Sequence, residues 1–383
     1  MIAGVIQKFR ESFYRRVASL HQERMLTRVS ANTFQAAQDH YRIPQTKEWK
    51  TDSYELPDSF LLDKDKEYPD IGRISFPVLY QYSQVRCLSA YGFILQDNLF
   101  LFHPDWNHPT GEKEKRFNKL PLVLDRERKI NDQSIFYGHT AYTNYFHFLF
   151  DCITPYLFYR EVSRKEPLLL FGFKLNAWQR QIIDFFEMTR FREARKQGNF
   201  LVDSVLLLPS TRFRRSIREK FLIFRKSFIE LLRRETFKRI EVNSTTTHQR
   251  SCYLYCTRGR SSRYLSNEPL LLKRLSSLGF ECIDCSQMHF QEQVLRFSHA
   301  KIVVAPHGAA LSNIAFVSAD CTVVDLLPRN YSSDAYLMLS LACGHRHLPI
   351  VGTALTGSPS RFLVDIETVY QEIHALVTKE LVC

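Results

Sequence analysis

The first stretch with the means to do chemistry is an aromatic run that begins at Tyr142 and carries three polar residues. Asn144, His147 and Asp151 fall at i, i+3 and i+7, so in a helix they would share one face. Burying polar groups among aromatic side chains is costly unless they serve a purpose. An imidazole backed by a carboxylate is the usual arrangement of a general base. The alternative explanation is a hydrogen-bonded structural trio between two parts of the protein.

A second stretch runs from a continuously apolar segment into Pro306-His307-Gly308-Ala309. The pattern predicts a buried strand that ends at His307 and a helix that starts at Ala309. Ligands of open parallel sheets bind at the carboxyl ends of strands, and a helix N-terminus there attracts phosphate. Gly308 and Ala309 permit close backbone approach, His307 adds a titratable donor, and Asn313 is expected to shape the turn. The alternative is a tight structural turn with a satisfied histidine.

A third stretch is an arginine-rich loop that includes Arg258 and Arg263 and follows another strand-like run. Guanidinium groups at a strand's carboxyl end suit the forked geometry of a diphosphate. Asn267 and Glu268 then open the next helix, and Asn267 is a good N-cap. Such a loop alone is weak support, because surface loops often carry charge. Its expected position beside the His-Gly turn strengthens the interpretation.

The elements that position these residues follow from apolar periodicity. From Cys252 to Val351 strands and helices alternate strictly, which predicts parallel βαβ units. The apolar runs at 301–305 and 322–327 are typical of strands buried on both faces. Residues 76–241 also alternate, with helices predicted at 142–160 and 217–238.

A chain of 383 residues suits two domains. We expect an α/β fold of two Rossmann-like domains. The predicted boundaries are an amphipathic helix and irregular entry segment at 1–75, a first domain at 76–241, a polar linker at 242–250, a second domain at 251–355, and a C-terminal helix at 356–383 that packs back on the first domain.

The net charge of +12 admits nucleic acid, an anionic membrane surface or a phosphorylated substrate as a partner. The excess is concentrated between Arg190 and Arg239, where a solvated basic helix face and a membrane contact both remain open. The sequence contains no helix-turn-helix, zinc knuckle or RNP-like signature, so we expect no nucleic-acid partner.

The nine cysteines cannot all pair internally. Two pairs, Cys252 with Cys256 and Cys282 with Cys285, lie in strand-like runs, where cysteine usually acts as a small hydrophobe rather than a zinc ligand. With no secretory signal and no apolar stretch of about 18 residues, we expect free thiols, no bound metal and a cytoplasmic protein, with peripheral contact at the inner membrane face as an option.

Taken together, the three stretches resemble glycosyltransferase family 61, the DUF563-type group that includes capsular polysaccharide enzymes. The matching patterns are Asn-x-x-His-x-x-x-Asp, Arg-x-x-x-Asn-Glu and Pro-His-Gly-Ala-x-x-x-Asn, with a Glu-Gln pair at Glu292 and Gln293 before the His-Gly strand. The resemblance covers roughly residues 130–330. It implies a GT-B-like fold with parallel sheets facing a central cleft, a nucleoside-diphosphate sugar donor that is usually UDP-linked, and inversion at the anomeric carbon. It implies neither a metal nor any other cofactor.

The residue roles follow from that resemblance. The donor diphosphate would be held by the second-half residues Arg258, Arg263, Asn267, Glu268, His307, Gly308, Ala309 and Asn313. His147 or Asp151, with Asn144 beside them, would activate the hydroxyl of a glycan or lipid-linked acceptor. The alternatives are a non-catalytic glycan- or membrane-binding protein on the same fold, and another GT-B enzyme such as a pyruvyl or phosphosugar transferase.

Overall fold

The computed structural model describes residues 34–36, 42–43, 53–54, 72–73, 79–88, 93–96, 99–102, 128–138, 140–163, 165–193, 199–213, 223–243, 253–259, 263–317, 320–329, 331, 333–355 and 358–382. The predicted N-terminal helix and the predicted linker beyond Asn243 lie outside these residues. We refer to residues 79–243 as the first half and to residues 253–382 as the second half.

The strands are numbered in chain order. They are β1 (Phe34–Ala36), β2 (Arg42–Ile43), β3 (Ser53–Tyr54), β4 (Gly72–Arg73), β5 (Leu79–Leu88), β6 (Phe93–Gln96), β7 (Leu99–Phe102), β8 (Arg128–Tyr137), β9 (Leu168–Phe171), β10 (Phe191–Glu193), β11 (Asn199–Leu207), β12 (Arg212–Phe213), β13 (Ile223–Phe224), β14 (Tyr253–Cys256), β15 (Tyr264–Leu265), β16 (Glu281–Ile283), β17 (Ile302–Pro306), β18 (Thr322–Pro328), β19 (Arg346–Leu355) and β20 (Ser358–Leu363).

The helices are of three kinds. The α-helices are α1 (Tyr145–His147), α2 (Thr154–Val162), α3 (Ala177–Phe185), α4 (Lys226–Asn243), α5 (Glu268–Ser276), α6 (Phe290–Phe297), α7 (Ala335–Cys343) and α8 (Ile366–Val382). Short 3-10 helices span Thr140–Thr143, Cys285–Gln287 and Ala309–Phe316, and a π-helical turn, Phe148–Ile153, joins α1 to α2.

The first half is built on a mixed sheet in the order β1-β7-β6-β5-β11-β8-β9-β10. Strands β11, β8, β9 and β10 are mutually parallel. The pairs β11–β5, β5–β6 and β6–β7 are antiparallel, whereas the edge strand β1 is parallel to β7. The expectation of a parallel sheet here is therefore correct for one side only. The apolar run at 85–95 is divided between β5 and β6, which pair antiparallel.

The second half has the order β15-β20-β19-β18-β17-β14-β16. All of its pairs are parallel except β19 with β20. The parallel strands β17 and β18 are buried along their whole length, as predicted from their continuous apolar runs. This confirms a mixed α/β protein with parallel-rich sheets.

The central strands of the second half define where a ligand would sit. In chain order β14, β16, β17, β18 and β19 are arranged 2-1-3-4-5 across the sheet, which is a doubly wound order. Its connections change direction between the first and third strands, β14 and β17. Doubly wound proteins bind ligands beyond the carboxyl ends of the strands at this point.

The two halves share one hydrophobic core. Phe290 of α6 contacts Phe185 and Phe186 at the end of α3, with ring centroids 5.1 and 5.8 Å apart. Phe146 of α1 meets Tyr336 of α7 edge-on at 5.6 Å. A single buried cluster runs through these residues from one half to the other. The halves therefore pack as layers of one core, and residues on their facing edges are held in fixed positions.

The C-terminal helix α8 differs from its expected placement. Its buried residues Val369, Ile373 and Val377 join Leu271 and Leu275 of α5 in a core cluster of the second half. We expected it on the first half, but its apolar stripe completes the layer over the second sheet instead.

The basic segment also departs from its predicted boundaries. The predicted helix at 217–238 is instead α4, which begins at Lys226 after the short strand β13. Arg225 is buried, Arg233 donates to the carbonyl of Val317 in the second half at 2.6 Å, and Arg239 pairs with Glu235. Part of this charge therefore fixes the packing of α4. Contact of the rest with a membrane stays a prediction.

Candidate active site

His147 and Asp151 form a hydrogen-bonded pair on the first half. His147 ends α1, and Asp151 lies in the π-helical turn that follows it. The His147 Nδ1 atom lies 2.7 Å from Oδ2 of Asp151. The His147 side chain is 35% exposed, whereas that of Asp151 is 9% exposed. The imidazole is therefore accessible to a substrate, and the carboxylate supports it from behind.

Arg212 completes this group, and its Nη2 atom also lies 3.4 Å from Nδ1 of His147. The guanidinium lies over the ring of Phe146 at 4.7 Å and donates to both carboxylate oxygens of Asp151, from Nη2 at 2.9 and 2.7 Å and from Nε at 3.3 Å. Burial by itself raises the pKa of Asp151, but Arg212 and the bond with His147 outweigh it, so this pKa lies below its ordinary value. Asp151 thus stays ionised and is a weak proton acceptor.

The ionised carboxylate fixes the histidine tautomer. A carboxylate only accepts hydrogen bonds, so Nδ1 of His147 must carry the hydrogen that it shares with Asp151. The neutral ring then presents an unprotonated Nε2, the form that accepts a proton in general base catalysis.

Asn144 is the N-cap residue of α1, next to this pair. Its side-chain oxygen accepts from the backbone N–H of Phe146 at 2.9 Å and so caps α1, a common function of asparagine at this position. It does not extend the His147–Asp151 line as a continuous helix face would, because the chain enters α1 at this residue.

Arg258 and His307 lie at the switch point of the second sheet. Arg258 follows β14 and donates from Nη1 to the carbonyl oxygen of His307 at 2.5 Å. Gly308 packs against the Arg258 guanidinium and leaves no room for a Cβ atom. Burial and the neighbouring Arg263 lower the pKa of Arg258. Two guanidinium groups are thus held side by side, an arrangement suited to a polyanion.

Arg263 reaches the same place from the end of its loop. Its guanidinium lies 4.2 Å from the ring centroid of Tyr331, and the His307 ring lies 5.2 Å from that tyrosine on another side. Arg263 adopts a left-handed backbone conformation with φ of 62°, which is uncommon for arginine. The loop therefore turns sharply to bring this side chain back toward the switch point.

His307 belongs to a buried polar chain. Its Nδ1 lies 2.8 Å from Oδ2 of Asp325 on β18, and Nε2 of His347 on β19 lies 3.7 Å from that same oxygen. Ser340 contacts Nδ1 of His347 at 3.0 Å. Burial lowers the pKa of His347 to about 4, so this ring is neutral. Asp325 therefore orients His307 much as Asp151 orients His147.

Three residues that we expected to bind the donor are occupied by structural contacts. Asn267 bonds both ways with the backbone of Val364. Both carboxylate oxygens of Glu268 accept hydroxyl donors, from Tyr255 and Thr257. Asn313 is fully buried, and its amide joins Tyr145 to Gln293 at 2.6 and 2.8 Å. These contacts position the site, and direct contact of the three residues with a donor stays a prediction.

A cavity of about 450 Å³ opens between the halves beside Arg258. The first half contributes Thr143, Asn144, Tyr145, Trp178, Gln181 and Ile182. The second half contributes Thr257, Arg258, Asp284, Cys285, Ser286, Met288, Phe290, Gln293, Ala309 and Ala310. Its size and mixture of aromatic, apolar and a few polar groups are typical of small-molecule sites. Ala309, where the 3-10 helix begins, and Ala310 line the cavity, whereas Gly308 is not among its lining residues. Contact of Gly308 and Ala309 with a donor stays a prediction.

The two groups of polar residues are linked through aromatic contacts. Phe146 packs beside His147 and against Tyr336. Tyr336 in turn lies 4.8 Å from the ring of His307. His147 and His307 are therefore connected through two intervening rings, whereas neither histidine is among the residues that line the cavity.

Sequence reasoning missed Arg212, Asp325 and Trp178. Arg212 was counted only as part of the basic segment, although it follows a buried strand at its carboxyl end, the position that drew attention to Arg258. Asp325 is an acidic residue inside an apolar strand, a signal that was available in Val323-Val324-Asp325. Nothing in the local sequence distinguishes Trp178.

No group of three or more His, Cys, Asp or Glu residues among the described ones is arranged to hold a metal ion. Seven cysteines fall within the described residues, and all seven are free thiols. None of the helices described here has the length and apolar character needed to cross a bilayer.

The doubly wound half has a cationic switch point, which is an arrangement suited to an anionic ligand. The family model described as Glycosyltransferase 61 matches residues 145–324. This stretch contains the groups around His147, Arg258 and His307, and it belongs to the glycosyltransferase 61 family. The resemblance seen in the sequence is confirmed.

No curated protein matches the chain. Among solved structures, a dodecameric iron-containing heptosyltransferase, TibC, in complex with ADP-D-beta-D-heptose is similar with a TM-score of 0.32 and 11% identity, over 74% of this chain and 81% of that one.

Proposed function

We propose that the protein is an inverting, metal-independent glycosyltransferase of the GT-B type that transfers a sugar from a nucleoside-diphosphate sugar, expected to be UDP-linked, to a glycan or lipid-linked acceptor in polysaccharide, capsule or glycoconjugate synthesis. The observation that carries the proposal is the carboxylate-backed His147 of the first half, which is linked through Phe146 and Tyr336 to His307 and its Arg258 contact at the switch point. The family match over this region supports it.

The donor diphosphate would lie against Arg258, Arg263, His307 and the first N–H groups of the helix that begins at Ala309. Cleavage of the sugar–phosphate bond leaves negative charge on the diphosphate. Fixed cations and a helix N-terminus stabilise that charge without reorganising. In this proposal His307, oriented by Asp325, adds a donor to the same group.

The acceptor hydroxyl would be activated by His147 rather than by Asp151. Asp151 is engaged on both oxygens by Arg212, and its lowered pKa makes it a poor base. His147 takes the proton on Nε2 while the acceptor oxygen attacks the anomeric carbon from the side opposite the leaving group. This single displacement inverts the configuration.

The alternative with a specific observation in its favour is a binding protein without turnover. His307 is only 3% exposed, so access of a ligand to its ring is narrow. The alternative predicts tight nucleotide binding by wild type without release of nucleotide from any sugar nucleotide.

The test is a donor screen on the full chain. UDP-, GDP-, CMP- and dTDP-sugars are assayed for binding and for nucleotide release, with and without EDTA, in wild type, His147→Ala, His307→Ala and the control His299→Ala, an exposed histidine at the end of α6. We expect His147→Ala to retain donor binding and to slow release about 10²- to 10⁴-fold. His307→Ala should weaken binding, and His299→Ala should change neither.

Each part of the proposal has an outcome that contradicts it. Absence of nucleotide binding by wild type rejects a sugar-nucleotide enzyme, and release that survives in His147→Ala rejects the base. Loss of activity in EDTA rejects metal independence. This test is needed because Asp63 and Asp65 form an Asp-x-Asp pair, a pattern that can hold a divalent ion on a diphosphate, and they lie outside the described residues. NMR of the product anomer checks inversion.

A further inference from the structure

Asp284 occupies a distinctive place at the edge of the cavity. It follows β16 directly, and β16 is the parallel neighbour of β14 on the side away from β17. Its carboxylate therefore lies on the same sheet edge as Arg258, displaced by one strand from the switch point. Both residues line the cavity.

The Asp284 side chain has one oxygen held and one available. Oδ1 accepts from the backbone N–H of Ser286 at 2.9 Å and from its hydroxyl at 2.7 Å. No described residue donates to Oδ2. Asp284 is also the only carboxylate among the described lining residues. Glu268 does not line the cavity, and both of its carboxylate oxygens accept hydrogen bonds from Tyr255 and Thr257.

A carboxylate is unfavourable next to a diphosphate, so it must serve a neutral part of the ligand that donates hydrogen bonds. In doubly wound nucleotide-binding folds, an acidic residue at the end of the second strand accepts from ribose hydroxyls while the phosphates sit at the first strand. Asp284 is the residue at the end of that second strand here. Arg258 follows the first strand and Asp284 follows the neighbouring second strand, as expected if Arg258 binds the phosphates and Asp284 binds the ribose.

We infer that Asp284 binds the ribose hydroxyls of the donor nucleoside and restricts the enzyme to ribonucleoside-diphosphate sugars, excluding deoxyribonucleotide donors such as dTDP-sugars. The inference rests on the proposed function, since it assumes that the cavity holds a nucleoside diphosphate. The apolar walls at Trp178, Ile182 and Met288 then lie where the base would be placed.

The expected discrimination follows from the chemistry of the contact. A site built to accept from a hydroxyl rejects the analogue that lacks it, because its own polar group is left unpaired. A hydrogen bond to a charged group corresponds to about a 10- to 100-fold change in affinity. We expect 2′-deoxy nucleotides to bind more weakly by that factor.

The experiment measures dissociation constants by calorimetry for matched pairs: UDP and 2′-deoxy-UDP, GDP and 2′-deoxy-GDP, ADP and 2′-deoxy-ADP, with inorganic pyrophosphate as a probe of the arginines alone. Wild type is compared with Asp284→Asn and with Glu372→Gln, which removes one charge from an exposed position on α8. In wild type and in Glu372→Gln, the ribonucleotide of the preferred base should bind about 10- to 100-fold more tightly than its deoxy partner. In Asp284→Asn the ratio should fall to about 1 to 3, with pyrophosphate binding retained.

Each contrary result has a distinct meaning. Equal binding of a ribonucleotide and its deoxy partner by wild type overturns the ribose assignment and leaves the donor proposal standing. This comparison uses wild-type protein only, so it does not depend on whether a variant folds. A ratio that persists in Asp284→Asn overturns the role of Asp284. If no nucleoside diphosphate of any base binds, the proposed function fails and the inference fails with it.

Discussion

At the scale of single residues, Asp151 determines what its neighbours can do. Its Oδ2 atom contacts both His147 and Arg212, and its Oδ1 atom accepts a second bond from Arg212. The carboxylate is largely buried. An ionised carboxylate in that position is tolerated only because both partners are present. The same contacts that hold the histidine in its useful tautomer therefore also carry stability.

Replacing Arg212 by methionine should lower the free energy of unfolding by about 3 to 5 kcal/mol, because it leaves Asp151 buried without its cation. The matched control is Arg190→Met, which breaks an exposed pair with Asp132 and should cost about 0 to 1 kcal/mol. Urea unfolding at pH 7.5 measures both.

The pH dependence of this effect has a defined sign. The pKa of Asp151 is depressed in the folded protein, so its contribution to stability is present above its ordinary pKa of 3.8 and is lost as the pH falls through the folded value. The difference between wild type and Arg212→Met should shrink accordingly in acid. Equal costs for the two arginine variants at pH 7.5 would show that Asp151 does not depend on Arg212.

At the scale of elements, one hydrogen-bonded chain joins three of them. Tyr145 of α1, Asn313 of the 3-10 helix after β17, and Gln293 of α6 are connected in series. The first residue belongs to the first half and the other two to the second. This chain holds the start of α1, and with it His147, in register with the His-Gly turn.

A double-mutant cycle tests that coupling. Tyr145→Phe and Asn313→Ala should each destabilise the protein, and their effects should be coupled by about 1 kcal/mol. Tyr159→Phe removes a hydroxyl whose partners, Gln133 and Ser163, lie within the first half, so its cost should add to that of Asn313→Ala without coupling. Additive behaviour of Tyr145 and Asn313 would mean that the bridge contributes nothing across the seam.

What the sequence could predict depended on the range of the interaction. His147 and Asp151 are separated by only four positions, and the parallel strands of the second half follow from local apolar runs. Both features could therefore be predicted from the sequence. Arg212 reaches Asp151 across 61 positions and Asp325 reaches His307 across 18. Their pairing is set by strand order, which no single-segment pattern contains. The π-helical turn Phe148–Ile153 was not predicted for a related reason, because it depends on how the aromatic residues pack rather than on their spacing.

At the scale of the whole molecule, two buried histidines make stability depend on pH. Burial lowers the pKa of His345 to about 4, as it does for His347, from an ordinary value of 6.5. The unfolded chain therefore binds these protons first. The free energy of unfolding contributed by each ring is fully present above about 6.5 and is lost as the pH falls toward 4.

His345→Gln should flatten this pH dependence. The histidine contacts the carbonyl oxygen of Ile314 through Nε2 at 2.9 Å, a bond that a glutamine amide can replace. Its slope contribution is at most about 1.4 kcal/mol per pH unit, or on the order of 3 kcal/mol across the window. Urea unfolding at pH 7.5, 6 and 5 measures it, with the exposed His374→Gln as control. Unchanged slopes in His345→Gln would contradict a buried neutral His345.

The shared core also has a consequence for how the protein is made. The aromatic edge of the first half, with Phe146, Phe185 and Phe186, is completed only by Phe290 and Tyr336 of the second. Roughly 90 residues separate the end of α4 from α7, which at typical synthesis rates is an interval on the order of 5 to 20 s. During it the nascent chain carries an uncovered apolar face. Production of this protein should therefore depend on chaperone supply and on slow, cool translation more than its folded stability would suggest.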